Sequence, residues 1–298
     1  MAWLADHSTS SLKTEGFAVT TGSNLSIYQY DSNGNMIYDE LKGITDIEYN
    51  HLDLPRKITF SGLDPEAISG TKKGLVYVYD ATSVKLEKRM YDFGTEKTTR
   101  YAGGFVYADG ILEFITQPEG YISPVTTTNG PVTGFDKGNN TIIFSSYDYV
   151  FQFVDHLGNV RLSYSDENKD GSVNSSEIIE ESNYYPFGLK QKGYNNVIQG
   201  GNGLAQNWKF GGKELNSELG LDWYDITARN YDPAIGRWMN LDPLAEIMRR
   251  HSPYNYAFDN PIYFMDPDGM APRESLVNYG AQDDLIVKGD VSAFQDRV

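Results

Sequence analysis

The stretch Leu25-Ser26-Ile27-Tyr28-Gln29-Tyr30, followed by Asp31-Ser32-Asn33-Gly34-Asn35 and then Met36-Ile37-Tyr38, reads as one β-hairpin. Residues alternate along the first segment, and Asn33-Gly34 supplies two positions that tolerate positive φ, the strongest short-range signal for a hairpin. The same plan returns nineteen residues on, where Ile47-Glu48-Tyr49-Asn50 leads through His51-Leu52-Asp53 into Leu54-Pro55-Arg56-Lys57-Ile58-Thr59-Phe60. Tyr49-Asn50 stands where Tyr30-Asp31 stood. Further units follow in looser form. Leu75 to Asp80 precedes Lys85 to Met90, Gly104 to Gly110 precedes Ile111 to Phe114, and Tyr149 to Val154 leads into Asp155-His156-Leu157-Gly158-Asn159-Val160-Arg161. Strand-turn-strand units of roughly twenty residues predict neighbours that stack to bury a shared face.

Composition agrees with a β protein. The chain has 298 residues, with 29 glycines, 22 tyrosines and 13% aromatic residues, a profile of turn-rich sheet and not of helical bundles. A net charge of -16 argues against nonspecific nucleic-acid binding, which needs clustered Lys and Arg. With no cysteine, disulfides, thiolate metal sites and thiol catalysis are excluded. Residues 1–20 carry neither a basic n-region nor an apolar h-region, so no signal peptide is visible, and no apolar run approaches the ~20 residues needed to span a bilayer. His7, His51, His156 and His251 lie far apart without metal-ligand spacing.

A second dense stretch begins at Trp223-Tyr224-Asp225-Ile226-Thr227-Ala228-Arg229-Asn230-Tyr231-Asp232-Pro233 and continues with Gly236-Arg237-Trp238 and Asp242-Pro243. It closes with Tyr254-Asn255-Tyr256, Asn260-Pro261 and Asp266-Pro267-Asp268-Gly269-Met270. Three Asp-Pro pairs, each suited to starting a type I turn, sit here among aromatics spaced too irregularly for one helix face. Pro243 to His251 reads as a short helix. Residues 121–141 and 190–207, rich in turn formers, read as loops.

This second stretch resembles the Rhs repeat-associated core domain, the C-terminal block of bacterial Rhs (YD-repeat) polymorphic toxins. Its pattern, R-x-Y-D-P-x-x-G-R-[FW]-x-x-x-D-P, then Y-x-Y-x-x-N-P, then D-P-x-G-[LM], fits Arg229 through Asp242, Tyr254 through Pro261 and Asp266 through Met270. Tyr-Asp-x-x-Gly-Asn is likewise the YD-repeat signature, and Asp155 to Arg161 looks like the segment that precedes the core in Rhs proteins of Bacteroidetes type. The resemblance implies a mostly β fold, a YD-repeat spiral or shell fragment with a small α+β core plug.

The resemblance divides the chain into an irregular segment 1–23, hairpin repeats 24–164, a loop insertion 165–178, a core domain 179–270 and a variable tail 271–298. It also implies an intramolecular aspartyl protease, with Asp242 and Asp266 as the catalytic carboxylates, Arg229 as supporting cation, and Met270–Ala271 as the scissile bond. Two close aspartates sharing a proton can activate water and serve the carbonyl or leaving amine, and a guanidinium can steady the developing oxyanion. Leu244-Ala245 departs from the family, which often has x-Gly after this Asp-Pro, and Met270 stands where leucine is common.

The implied function is packaging and release of a C-terminal effector in interbacterial competition. Partners would be the chain's own effector region, an upstream Rhs shell or secretion-system components, and an immunity protein, with the full-length protein secreted or at the cell surface. The alternative is a noncatalytic extracellular adhesion or glycan-binding module built from tyrosine-rich repeats.

Independently of that resemblance, Asp166-Glu167-Asn168-Lys169-Asp170-Gly171-Ser172-Val173-Asn174-Ser175-Ser176-Glu177 fits the twelve-residue calcium loop. Asp166, Asn168 and Asp170 supply oxygens at positions 1, 3 and 5, Gly171 permits the sharp turn, Ser172 offers its carbonyl, Asn174 a direct or water-mediated ligand, and Glu177 two oxygens. The flanks read as β, which predicts an isolated structural Ca2+ loop without a partner hand.

Overall fold

The computed structural model describes residues 27–126, 144–191, 201–274 and 286–287; the irregular segment proposed for 1–23 lies outside the described residues. Among them the dominant feature is a large antiparallel sheet in which successive strands pair with their sequence neighbours. The strands are β1 (Tyr28–Tyr30), β2 (Met36–Asp39), β3 (Ile44–Tyr49), β4 (Pro55–Phe60), β5 (Lys73–Tyr79), β6 (Lys85–Asp92) and β7 (Thr95–Ala102). They continue as β8 (Phe105–Ala108), β9 (Ile111–Gln117), β10 (Gly120–Thr126), β11 (Phe144–Val154), β12 (Val160–Tyr164) and β13 (Ile178–Glu181). The order β1 to β13 is unbroken. Each strand was accessible to local hairpin closure, which is why no long crossover is needed.

Four of the hairpin turns share one hydrogen-bond scheme. Asp31 Oδ1 accepts from the backbone N–H of Asn33 at 2.9 Å and Asn35 at 2.8 Å, while Gly34 N–H donates to the Asp31 carbonyl at 3.2 Å. Asp155 does the same for Leu157 and Asn159, Asp80 for Thr82 and Val84, and Asn50 for Leu52 and Leu54. One Asx oxygen therefore closes the turn, the local side-chain bonding that makes Asp and Asn turn residues. The third residue after it must adopt positive φ, and Gly34 (+84°), Asp53 (+55°), Ser83 (+72°) and Gly158 (+76°) all do. This explains the Tyr-Asp-x-x-Gly-Asn pattern physically.

Beside the large sheet lies a small one of β14 (Glu214–Asn216), β15 (Trp223–Ile226), β16 (Arg229–Asp232) and β17 (Arg237–Trp238). A two-stranded pair, β18 (Phe264–Met265) and β19 (Arg273–Glu274), follows, and β20 (Ile286–Val287) pairs with Phe153 and Val154 of β11. Successive residues of β15 serve two cores, as strand alternation requires. Trp223 joins Leu221 and Met239 against Met36, Ile44, Ile47, Ile58, Phe60, Leu75 and Tyr77 of the large sheet. Tyr224 points the other way, into a cluster with Tyr184, Phe210, Ile226, Tyr231, Trp238 and Tyr256. The C-terminal part thus covers one face of the hairpin sheet.

Charge links the two layers as well. Glu214 is 6% exposed and receives Lys85 Nζ at 2.5 Å and Lys88 Nζ at 2.8 Å, with Tyr101 Oη at 2.8 Å. Burial works to raise the Glu214 carboxyl, yet the two lysines hold it down at about 2. Neither lysine stood out in the sequence.

Three expectations are corrected. Residues 121–126 continue β10 instead of forming a loop, because Gly120 to Thr126 pair with β11; residues 127–143 of that proposed loop lie outside the described residues. Of the proposed loop 190–207, residues 192–200 are outside the described residues and Ala205–Asn207 forms a 3-10 turn. Pro243 to His251 is a series of turns and no α-helix, with bonds such as Ala245 N–H to the Asp242 carbonyl and Ile247 N–H to the Leu244 carbonyl. No helix among the described residues is long and apolar enough to cross a membrane.

The turn scheme makes a graded prediction. Gly158→Ala meets only backbone strain, since a Cβ there comes no nearer than 3.9 Å to another atom, and should cost about 1–2 kcal/mol. Gly34→Ala should cost more in urea unfolding, because its Cβ would stand 2.7 Å from the Tyr254 Oη that donates to the Gly34 carbonyl. Equal costs would show that Tyr254 does not brace the turn. Lys88→Met, which strips a partner from Glu214 at a site where the lysine is 2% exposed, should lose about 3 kcal/mol in the same assay.

Candidate active site

Arg229 opens β16, directly after the tight Thr227-Ala228 turn that joins it to β15 through the Ile226–Arg229 pair. All four residues of β16 are buried, and Arg229 is 1% exposed. A buried guanidinium must satisfy its donors or lose several kcal/mol, and here each of its three nitrogens is engaged. Nε donates to the Gly269 carbonyl at 2.5 Å and Nη1 to the Pro253 carbonyl at 3.2 Å. Nη2 stands 3.1 Å from Asp242 Oδ2 and 3.1 Å from Asp266 Oδ2. The structure therefore brings together all three residues proposed for catalysis, across separations of 13 and 24 residues in sequence.

Each carboxylate also organises a turn. Asp242 Oδ1 accepts from Leu244 N–H at 2.7 Å, so the Leu244-Ala245 departure still leaves an Asx turn in place. Asp266 Oδ1 accepts from Gly269 N–H at 2.9 Å and Met270 N–H at 3.1 Å. Asp266 thus contacts the peptide immediately before the Met270–Ala271 bond. The third Asp-Pro aspartate, Asp232, lies elsewhere, paired with Lys42 at 3.2 Å and accepting from Trp223 Nε1 at 3.1 Å.

Gly269 shows why the segment 266–270 docks where it does. At φ +76° it presses on the β15–β16 turn, and a Cβ would stand 2.4 Å from the Ile226 carbonyl and 3.0 Å from Arg229 N. Ala228 N–H reaches the Asp268 carbonyl at 3.0 Å beside it. Only glycine allows so close an approach.

Electrostatics separate the pair from ordinary aspartates. Burial pushes the Asp242 carboxyl up, opposed by Leu244 N–H and Arg229. Burial also pushes Asp266 up, with Asp268 and Asp242 adding to it and Arg229 and Gly269 N–H opposing. Desolvation lowers Arg229's hold on its own proton, opposed by the two carboxylates. Two carboxyls that burial pushes up thus share one cation. Such a pair can supply one protonated and one ionised group, the requirement for carboxylate-driven peptide hydrolysis.

The proposed calcium loop connects β12 to β13, whose Tyr164–Ile178 pairing makes its flanks β as the sequence indicated. Asp166 Oδ2 accepts from Gly171 N–H at 2.9 Å, Asn168 Oδ1 from Asp170 N–H at 2.8 Å, and Asp170 Oδ1 from Ser172 N–H at 2.8 Å. Gly171 takes φ +79°. Glu177 is buried and accepts from Asn174 N–H at 3.0 Å and Asn174 Nδ2 at 2.7 Å, capping a 3-10 turn at Ser175–Glu177. The donor set is one of hard oxygens suited to Ca2+. Among the described residues, however, no three Asp, Glu or His side chains converge as a ready metal site.

Sequence reading missed Trp238 as part of this site. Its ring lies 4.1 Å from Arg229 Cζ, and the only hint was its place in the Gly-Arg-Trp segment.

No protein-family model matches the chain. Salivary gland surface protein 1 of Aedes aegypti is 27% identical over 248 residues, 80% of this chain and 6% of that protein. Toxin subunit YenC1 of Yersinia entomophaga is 29% identical over 138 residues, 44% of this chain and 14% of that protein. Among solved structures, a Tc holotoxin pore of Photorhabdus luminescens carrying a TccC3 mutation matches with a TM-score of 0.57 at 16% identity, over 87% of this chain and 11% of the matched one. The chain spans a small fraction of each of these proteins. The structural likeness shows the mostly β fold, and part of the chain is similar in sequence to a toxin subunit.

Proposed function

We propose that this chain is a shell and core segment of an Rhs-type toxin that encloses a C-terminal effector and releases it by intramolecular aspartyl cleavage after Met270. The observation that carries this reading is a single guanidinium nitrogen 3.1 Å from both Asp242 and Asp266, with Asp266 also bonded to Met270 N–H. In the proposed reaction the ionised carboxylate takes a proton from water, whose oxygen attacks the Met270 carbonyl carbon. The protonated carboxyl supports the carbonyl oxygen and then delivers a proton to the Ala271 nitrogen as the C–N bond breaks. One turnover per chain follows, because the substrate is the enzyme's own tail.

The name toxin subunit, borne by the Yersinia relative, and the Tc holotoxin fold match support assembly with other toxin components. An immunity protein, an upstream shell and export to the cell exterior belong to the same proposal. A second reading is a noncatalytic surface module that binds glycans, supported by the likeness of 80% of the chain to a salivary gland surface protein. There the aspartate pair would serve only to anchor the turn at Asp266.

Intact mass of freshly purified protein separates the two. Wild type should lose the mass of residues 271–298, while Asp242→Asn and Asp266→Asn should stay whole. Because burial raises both carboxyls, the protonated member persists to higher pH than in a free aspartate, so cleavage should run faster in mildly acidic than in alkaline solution. An uncut wild type that binds a glycan array would favour the surface module.

The loop 166–177 is proposed to bind Ca2+ through Asp166, Asn168, Asp170, Ser172, Asn174 and Glu177, with Glu177 turning from Asn174 toward the ion. Calorimetric titration should show calcium binding in wild type and none in Asp166→Ala. Equal heats in both proteins would remove the assignment.

A further inference from the structure

The Arg229 guanidinium is bonded along its edges and stacked on one face. Its edge nitrogens reach Gly269, Pro253, Asp242 and Asp266. Trp238 covers its face, with the ring centroid 4.1 Å from Cζ. Trp238 is itself 1% exposed and locked in place. Its backbone N–H donates to the Tyr254 carbonyl at 3.1 Å, and its ring meets Tyr231 at 5.4 Å and Tyr256 at 5.5 Å.

The indole Nε1–H of Trp238, although buried, has no hydrogen-bond partner. An unsatisfied buried donor is a cost that a phenylalanine would avoid. What tryptophan offers in exchange is the strongest aromatic face for a cation, most effective when both groups are removed from water. The arrangement therefore uses the ring's face and not its polar edge.

We propose that Trp238 is a positioning residue for the aspartate pair, its indole face holding the Arg229 guanidinium where one nitrogen reaches both Asp242 and Asp266. Without that face, Arg229 keeps its bonds to the Gly269 and Pro253 carbonyls but is free to tilt away from the two carboxylates. The kinetic consequence rests on the reading of the pair as a self-cleaving centre. The electrostatic consequence does not.

Other charged and titratable groups also face the pair. Asp268 and Tyr256 act on Asp266, and Lys213 lies near both Asp266 and Asp268. Arg229 is the one cation bonded to both carboxylates among the described residues. Burial already raises Asp242 and Asp266, so their contribution to stability is present in acid and is lost as pH rises through their folded values. Displacing Arg229 raises them further and deepens that loss.

The test compares wild type, Trp238→Phe and Trp238→Leu in the full chain by thermal unfolding from about pH 3, below the unfolded aspartate value, to about pH 8. Trp238→Leu should lose more Tm toward high pH than wild type, Trp238→Phe should fall between, and the extra loss should vanish when Asp242→Asn and Asp266→Asn are both present. A Trp238→Leu deficit equal at all pH values would mean simple loss of packing and would overturn the proposal. Should Trp238→Leu not fold, tryptophans bearing successive fluorines weaken the ring's face with little change in size. The pH-dependent loss should then grow with fluorination, and a flat series would overturn the proposal.

In the cleavage assay, Trp238→Leu should slow self-cleavage roughly tenfold at neutral pH and move its optimum upward, with partial rescue by Trp238→Phe. An unchanged pH profile in a wild type that does cleave would count against positioning. A wild type that never cleaves would overturn the self-cleavage reading, while the unfolding series still decides the role of Trp238.

Discussion

One buried guanidinium ties together segments that also share an aromatic cluster. Arg229 lies at the start of β16, and its bonds reach Pro253, Asp242, Asp266 and Gly269, all on connections without regular structure. A charge taken out of water at 1% exposure is tolerated only when its donors are satisfied, so those connections must converge on it. Convergence fixes the close approach at Gly269, and with it the course of the chain up to Met270. The same requirement that holds residues 229–270 together also assembles the candidate chemistry.

That arrangement stands on a larger division of labour. The hairpin sheet contributes one apolar face, and Leu221, Trp223 and Met239 cover part of it. Lys85 and Lys88 reach across the same boundary to Glu214. Apolar contact supplies the general driving force for the two layers to join, while the buried ion pairs constrain their register, since a misaligned layer would leave a charge without its partner. Arg229 is two strands removed from Glu214, so the candidate site inherits a scaffold already fixed against the sheet.

The turn scheme accounts for how tolerant the repeats are in sequence. Asp31, Asn50, Asp80 and Asp155 perform the same bonding, although the residue at positive φ changes from Gly34 to Asp53, Ser83 and Gly158. An Asx oxygen at the first position and a residue able to adopt positive φ at the fourth are what the geometry requires. The rest of each unit can drift, which is why the repeats read clearly at Tyr30-Asp31 and only faintly near Asp80.

What the sequence determined by itself is local: hairpins at Asp31, Asn50 and Asp155, the mostly β class, turns at the Asp-Pro pairs, and the oxygen-rich loop from Asp166 to Glu177 between two strands. These follow from alternation and from side chains bonding to backbone two to four residues away, so they need no knowledge of the rest of the chain. Resemblance, and not spacing, nominated Arg229, Asp242 and Asp266 as partners. Only the tertiary structure decided that one nitrogen touches both carboxylates, that Trp238 lies under the guanidinium, and that Lys85 and Lys88 meet Glu214 about 130 residues away. The turns at Pro243 to His251, which read as a helix, belong to the same category. They begin at the Asx turn that Asp242 makes with Leu244 N–H, while the pairing of the same carboxylate with Arg229 is a tertiary contact that no local propensity encodes.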